Sequence, residues 1–402
     1  MWSNGNPAWN ITVCQYRFDR LENMTVQASS HITGNDIESR IGELIVRHCS
    51  PMNDALSGFD CGRLYDDVVR QACVSSEGGK RLRARLLMAF YDALTGTSSD
   101  ADARGRALDL ACAIEVFQTA ALVHDDIIDE ADVRRGKPAA HKALASMAAE
   151  RYNDTTAASA ASFGSGLGIM LGDLLATASV DIVNAAAVKL PNHEGIMSGF
   201  LAMHREVEIG QVLDLAAEHL SLDDPENLAR NSLAVFRWKT ASYTTIAPIR
   251  LALLAAGVDN GTASTAAESI GMPLGLAFQL ADDLLDVVSN PKVTGKPVGG
   301  DIREGKRTVL LADALSGASP EQAAYLRRCF VAPERDAEVV RHVIDLFTET
   351  SAVRRSRERI ASLWSQTKTA IADTGLALDL DDDALESLHV MCARFVPADI
   401  RD

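Results

Sequence analysis

The chain has 402 residues, 47% of them hydrophobic, and its 39 Lys+Arg against 55 Asp+Glu give a formal charge of −16. That hydrophobic content suffices for a sizeable globular core. The charge repels nucleic-acid phosphates and anionic lipid unless basic side chains are gathered locally, so no nucleic-acid partner is expected.

In chain order, residues 1–35 are polar and read as a loosely ordered N-terminal extension, with 36–402 as a single domain. From Asn35 onward apolar residues recur three and four apart, alanine is abundant and β-branched alternation is scarce. This predicts an all-α protein, one large helical bundle. Helices are expected at 36–49, 53–74, 80–95, 103–131, 138–151, 161–189, 193–219, 228–256, 261–289, 305–315, 319–331, 335–347, 351–373 and 383–396. Two segments, 107–129 and 268–288, are apolar nearly all round and are therefore placed at the centre of the bundle. Neither a signal peptide nor an apolar run of about 20 residues without a charge is visible, so no membrane span is expected. The seven cysteines, Cys14, Cys49, Cys61, Cys73, Cys112, Cys329 and Cys392, include no C-x-x-C pair. A reducing, cytoplasmic setting without zinc or disulfides follows.

Each central segment ends in an Asp-Asp-x-x-Asp cluster: Asp125, Asp126 and Asp129 in the first, Asp282, Asp283 and Asp286 in the second. A spacing of four puts Asp125 with Asp129, and Asp282 with Asp286, on one helix face. An acidic cluster alone is commonly a solvated face, but the second sits between Leu276–Ala281 and Leu284–Val288, where little polar surface is available. Carboxylates in such a setting require cations, and clustered oxygen ligands suit Mg²⁺, which keeps open positions for phosphate oxygens. Two facing clusters therefore suggest a diphosphate held between them. Basic groups accompany them: Gly78-Gly79-Lys80-Arg81-Leu82-Arg83, Arg134-Arg135-Gly136, Lys239-Thr240, Lys296 and Lys306-Arg307. Gly164-x-Gly166-x-Gly168 follows no strand and is read as close helix packing, Asp381-Asp382-Asp383 as a helix start with Asp383-Ala384-Leu385-Glu386 as its capping box, and His124 and His204 as packing or hydrogen-bonding residues.

The motifs GGKRLR, HDDIIDEADVRRG, GDLLA, WKTASY, FQLADDLLDV and GKPVGGDIREGKRT occur in this order over roughly residues 40–396. Together they resemble the trans-isoprenyl diphosphate synthase (polyprenyl synthetase) family. The resemblance implies condensation of isopentenyl diphosphate with an allylic diphosphate, three Mg²⁺ ions and a homodimer. It implies that Lys80, Arg83, Gln118 and Arg135 bind isopentenyl diphosphate. Asp125 and Asp129 would hold magnesium with Asp126 in support, and Asp282, beside Asp283, would take the remaining ion. Arg134, Lys239, Thr240, Gln279 and Lys296 would grip the allylic diphosphate, and Lys306 would close over the site from a flexible loop or tail. The growing tail is expected to run back along the first acidic helix, past Ala121 and Ala120 to Phe117, about 12 Å away by helix rise. Two small residues above one aromatic ring predict a C20 product, with C15 or longer chains as alternatives. A class I terpene cyclase and a silent partner subunit remain as other readings, which GGKRLR and the intact paired clusters disfavour.

Overall fold

The computed structural model describes residues 33–50, 56, 59, 62–96, 100–152, 156–288 and 298–401. The expected extension lies outside these residues up to position 32, as do Lys296, Cys14 and Cys61.

The first helices are α1 (Gly34–Cys49), α2 (Gly62–Ser76), α3 (Leu82–Thr95) and α4 (Ala101–Ile128). A two-residue hairpin, β1 (Val133–Arg134) and β2 (Lys137–Pro138), separates α4 from α5 (Ala140–Arg151), α6 (Ala157–Ala187) and α7 (His193–Ala217). Next come α8 (Pro225–Val235), a π-helical segment Phe236–Ile246, α9 (Ala247–Ala255) and α10 (Asn260–Val288). The remainder is α11 (Gly300–Glu304), α12 (Val309–Gly317), α13 (Pro320–Val331), α14 (Ala337–Glu349), α15 (Ala352–Ala377), α16 (Asp382–Cys392) and α17 (Ala398–Arg401).

The all-α expectation holds, with α4 and α10 at the centre. In α4 every residue from Leu110 to Phe117 is buried, and it packs along α6 and α3. In α10 the buried run from Ala263 to Val287 packs against the π segment, α9 and α15. By length and composition both α4 and α6 could cross a membrane, which charge spacing had not suggested. In the bundle α4 is a core helix, and α6 lies against α4 and α5 with one side.

Four local expectations need correction. The single helix expected over 228–256 contains the π segment, and the helix expected to reach residue 131 ends at Ile128, with Asp129 as its C-cap. The hairpin that follows turns through Arg135 and Gly136 at φ 52° and 74°, the positive pair that a tight two-residue turn demands. Helix α16 does begin in the Asp triplet, but the cap is Asp381, whose carboxylate accepts from Ala384 N at 2.8 Å. In the glycine run, a Cβ at Gly164 or Gly168 would strike His141 or its neighbours within 3.0 Å, whereas Gly166 faces open space. Close packing thus accounts for two of the three.

The π segment lies close to its neighbours because glycines face it. A Cβ at Gly210 of α7 would lie 2.2 Å from Lys239 N, and one at Gly275 of α10 would lie 2.5 Å from Ala241 Cβ. Thr245 Oγ1 donates to Gly271 O at 2.6 Å and so ties the segment to α10.

Candidate active site

Consecutive residues of the π segment reach the two acidic clusters. Lys239 Nζ donates to Asp125 Oδ1 at 3.1 Å and to Asp214 Oδ2 at 2.5 Å. Thr240 Oγ1 donates to Gln279 Oε1 at 2.9 Å, and Gln279 Nε2 in turn donates to Asp283 Oδ1 at 2.8 Å. A side-chain chain therefore runs from the first cluster to the second through one peptide unit. Wider π turns at such a position are a common way to aim adjacent side chains into a site.

A cavity of about 170 Å³ is lined among others by Asp214, Lys239, Thr240, Gln279, Asp282, Asp283, Asp301 and Lys306; the first cluster does not line it and is linked to it by the Lys239–Asp125 bond. The members of each cluster are unequal. On α4, Gln211 Nε2 donates to Asp125 Oδ1 at 2.7 Å. Burial works to raise the Asp125 pKa, but Lys239, the Gln211 bond and Arg134 outweigh it and hold the carboxyl below its ordinary value. Asp129 is pushed up, first by burial and then by the Asp125 charge. Asp126 is buried, and Arg134 donates to its Oδ1 from Nε at 2.8 Å and also from Nη2. In this arrangement Arg134, expected on the allylic diphosphate, is bonded to Asp126.

On α10, Asp282 is exposed and lines the cavity, while Asp283 is 5% exposed with Oδ2 buried and without a hydrogen-bond partner. Asp286 has another task. Its two carboxylate oxygens accept from Gly300 N and Asp301 N, both at 3.0 Å, and so cap α11. That cap delivers Asp301 and Lys306 to the site, so Lys306 is held here and not in a loose tail. Lys306 Nζ lies 2.7 Å from Glu304 and 3.9 Å from Asp301. Burial, against the pull of Lys306 and with the push of Asp286, raises Asp301 to about 7. Burial and then Asp301 lift Asp283 well above the carboxylate range.

These carboxylates crowd together beyond what Lys306 can neutralise, and one carries a buried oxygen with no partner. A hard divalent cation with oxygen ligands fits that donor set. Among the described residues no three acidic, His or Cys side chains complete a cation shell by themselves. Open positions on the ion would thus fall to ligand oxygens, as Mg²⁺ requires.

A second cavity, of about 460 Å³, lies behind α4 and is lined by Gln71, Gly79, Thr119, Asp126, Arg134, Arg135 and Lys137 among others. Left-handed backbone crowds its rim at Gly78, Gly79, Arg81 and Arg135, conformations that cost about 1–3 kcal/mol each for non-glycine residues and cluster at ligand clamps. Gly79 has φ +92°, and a Cβ there would meet Arg135 Nη2 at 3.1 Å. Arg135 donates to Glu77 O at 3.0 Å and Gly78 O at 3.1 Å, which pins the hairpin on the Gly-Gly loop. Of the four residues implied for isopentenyl diphosphate only Arg135 lines this cavity. Lys80 is exposed, Gln118 lies half-buried on the Asp125 side of α4, and Arg83 turns toward the π segment. There Arg83 Nη2 donates to Thr244 Oγ1 at 2.9 Å and its guanidinium stacks 4.2 Å above the Tyr243 ring.

Along the expected tail path Ala121 is half-buried, Ala120 is buried and Phe117 is 2% exposed. Sequence reasoning missed Gln211, Asp214 and Asp301. The first two sit three apart on α7, the spacing of one helix face, and that polar pair in an otherwise apolar stretch was the available signal.

The chain is similar to known proteins along most of its length. A family model described as polyprenyl synthetase matches residues 66–347. A geranylgeranyl diphosphate synthase of Sulfolobus acidocaldarius is 32% identical over 270 residues, 66% of this chain and 71% of the relative. A geranylfarnesyl diphosphate synthase of Aeropyrum pernix is 30% identical over 285 residues, 70% and 79% of the two chains. Among solved structures, a geranylgeranyl pyrophosphate synthase from Corynebacterium glutamicum, complexed with isoprenyl diphosphate and magnesium, superposes with a TM-score of 0.77 at 29% identity, covering 92% of this chain and 100% of that one.

Proposed function

The chain belongs to the polyprenyl synthetase family and is a trans-prenyltransferase, and from that premise we propose that it makes the C20 product, geranylgeranyl diphosphate, from isopentenyl diphosphate and a shorter allylic primer. The observation that carries the reading is the pair Lys239–Thr240, which ties both acidic clusters to one cavity. A diphosphate there would be held by magnesium on the carboxylates and by Lys239 and Lys306.

Asp125 and Asp129 would hold magnesium on one side and Asp282 on the other, three ions in all. Bound magnesium, a property of the family, would neutralise charge as it builds on the leaving diphosphate. Lys239 contributes to the same end, since burial lowers its pKa less than Asp125 and Asp214 raise it, and it stays charged. The allylic C–O bond breaks and its electron pair leaves with the diphosphate. The π bond of isopentenyl diphosphate then forms the new C–C bond, and the neighbouring proton passes to the departed diphosphate. The chain needs no nucleophile. Its apolar walls at Ala120, Ala121 and Leu122 exclude water that would quench the cation. Arg135, which lines the second cavity, would bind isopentenyl diphosphate; for Lys80, Arg83 and Gln118, which do not line it, that role rests on the family resemblance alone.

The C20 length rests on small residues at Ala121 and Ala120 above the ring of Phe117. Incubation with Mg²⁺, labelled isopentenyl diphosphate and primers of several lengths tests the reading: primer extension supports it, and cyclisation of primer alone defeats it. Ala120→Phe should shorten the product, and an unchanged length removes α4 from the floor.

A homodimer belongs to the same proposal. Leu201, Val212 and Leu215, along one side of α7, are 40–67% exposed, and Met170 on α6 is 57% exposed. An apolar face of this kind on adjacent helices calls for a partner. Sedimentation should give a dimer that Val212→Asp weakens.

A further inference from the structure

The path below Asp125 has a wall that does not belong to α4. Between Leu110 and Asp125 of α4, Gln118, Ala121, Leu122, His124 and Asp125 keep solvent access; His124 is turned to Ile169 and Asp173 of α6, and the other four form a single stripe at helical spacing. Below Gln118 the stripe closes, because every residue from Phe117 back to Leu110 is buried. Helix α7 runs beside this stripe and touches it at two heights. Gln211 meets Asp125 at 2.7 Å, and the His204 ring meets that of Phe117 with centroids 3.9 Å apart and planes tilted by 32°. Seven residues separate the two contacts on α7 and eight on α4, a rise of about 10–12 Å on both helices.

His204 is the less enclosed of the two rings. Phe117 is 2% exposed, and Tyr243 stands edge-on to it at 6.2 Å and 85°. Tyr243 is itself held under the Arg83 guanidinium. His204 is half-buried, backed by Phe200 at 4.9 Å and linked through Nε2 to Ser179 Oγ on α6 at 3.3 Å. Its ring contact with Phe117, at the height where the stripe closes, puts it beside the end of the stripe.

We propose that His204 is a specificity-determining residue, the half of the floor contributed by α7, and that it sets product length jointly with Phe117. This rests on the chain-elongation reading above. A prenyl tail growing down the stripe meets a two-ring floor, and cutting either ring leaves the other in place. The imidazole suits an apolar tail because burial keeps its pKa down, at about 4, so the ring is neutral at ordinary pH. Its Nε2 is engaged sideways with Ser179 Oγ at 3.3 Å.

The full chain, with Mg²⁺, labelled isopentenyl diphosphate and farnesyl diphosphate, is assayed and the products are dephosphorylated and resolved by length. His204→Ala should move the main product up by at least one isoprene unit, and Phe117→Ala/His204→Ala should move it further than either single change. His204→Phe should keep the parent length. His204→Trp, which fills more of the path, should shorten the product, and it decides the matter where His204→Ala does not fold. Soluble variants that incorporate label as the parent does, but with an unchanged length distribution, overturn the role of His204. A parent chain that extends no primer defeats the elongation reading instead, so the two failures are distinct.

Discussion

Lys239 is the residue through which most of the site's electrostatics pass. It stands between Asp125 and Asp214, and removing its charge leaves two partly buried carboxylates without their cation. Lys239→Gln should lower kcat by about 10²–10³-fold, the usual loss when one fixed stabiliser of developing charge is removed. The KM for isopentenyl diphosphate should change little, and steady-state kinetics with saturating primer reads both. His204 gives a second residue-scale prediction, on stability. Its pKa falls from 6.5 unfolded to about 4 folded, so between those values the unfolded chain binds more protons than the folded one. Stability contributed by the neutral ring is present above pH 6.5 and is lost as pH falls toward 4, at up to ~1.4 kcal/mol per pH unit. Thermal melts of His204→Phe should show a shallower loss of Tm over that window than the parent, and parallel curves would remove the ring from this role. The role of Lys239 came with the family resemblance, whereas the paired Asp residues were legible from spacing and charge. The split of duties within them was not. Asp286 caps α11 and Asp126 holds Arg134, contacts made across 14 and 8 residues through loops whose return path no local pattern specifies.

At the scale of elements, the helices were readable because alanine-rich, three-and-four apolar spacing leaves one local answer. The π segment was not. Over eleven residues, Phe236–Ile246, its wider turn gives no apolar pattern distinct from an α-helix, and its register is set by what packs on it. The glycines opposite are part of that setting. Gly275→Val would bring a branched side chain to where even a Cβ lies 2.5 Å from Ala241 Cβ and 2.7 Å from Thr245 Oγ1. Overpacking of this kind costs typically 1–3 kcal/mol. Because Lys239 and Thr240 ride on the displaced segment, kcat should fall along with Tm. Gly105→Ala is the control. It lies in α4 with nothing within 4 Å of the new methyl, so replacing glycine inside a helix should stabilise by up to about 1 kcal/mol and leave activity alone. Denaturant melts of the two variants should move in opposite directions.

At the scale of the molecule, the −16 charge and the crowding of carboxylates around one cavity lead to the same expectation. A ligand that binds the folded state alone stabilises it by mass action, about 2.7 kcal/mol at a hundred times its Kd. Magnesium without diphosphate leaves the ion's open positions to water, and diphosphate without magnesium meets the acidic clusters as a like charge, so each alone should raise Tm only slightly. Together they should raise it by several degrees, more than the sum of the two. The bridge between clusters makes a sharper claim. If one diphosphate is held from both sides, Asp125→Asn on α4 and Asp282→Asn on α10 should each remove most of the joint shift, and the double variant should lose little more than either one. Two independent sites would instead give partial losses that add. Differential scanning fluorimetry of the parent and the three variants separates these cases, and additive losses would sink the shared-cavity reading while leaving the family assignment untouched.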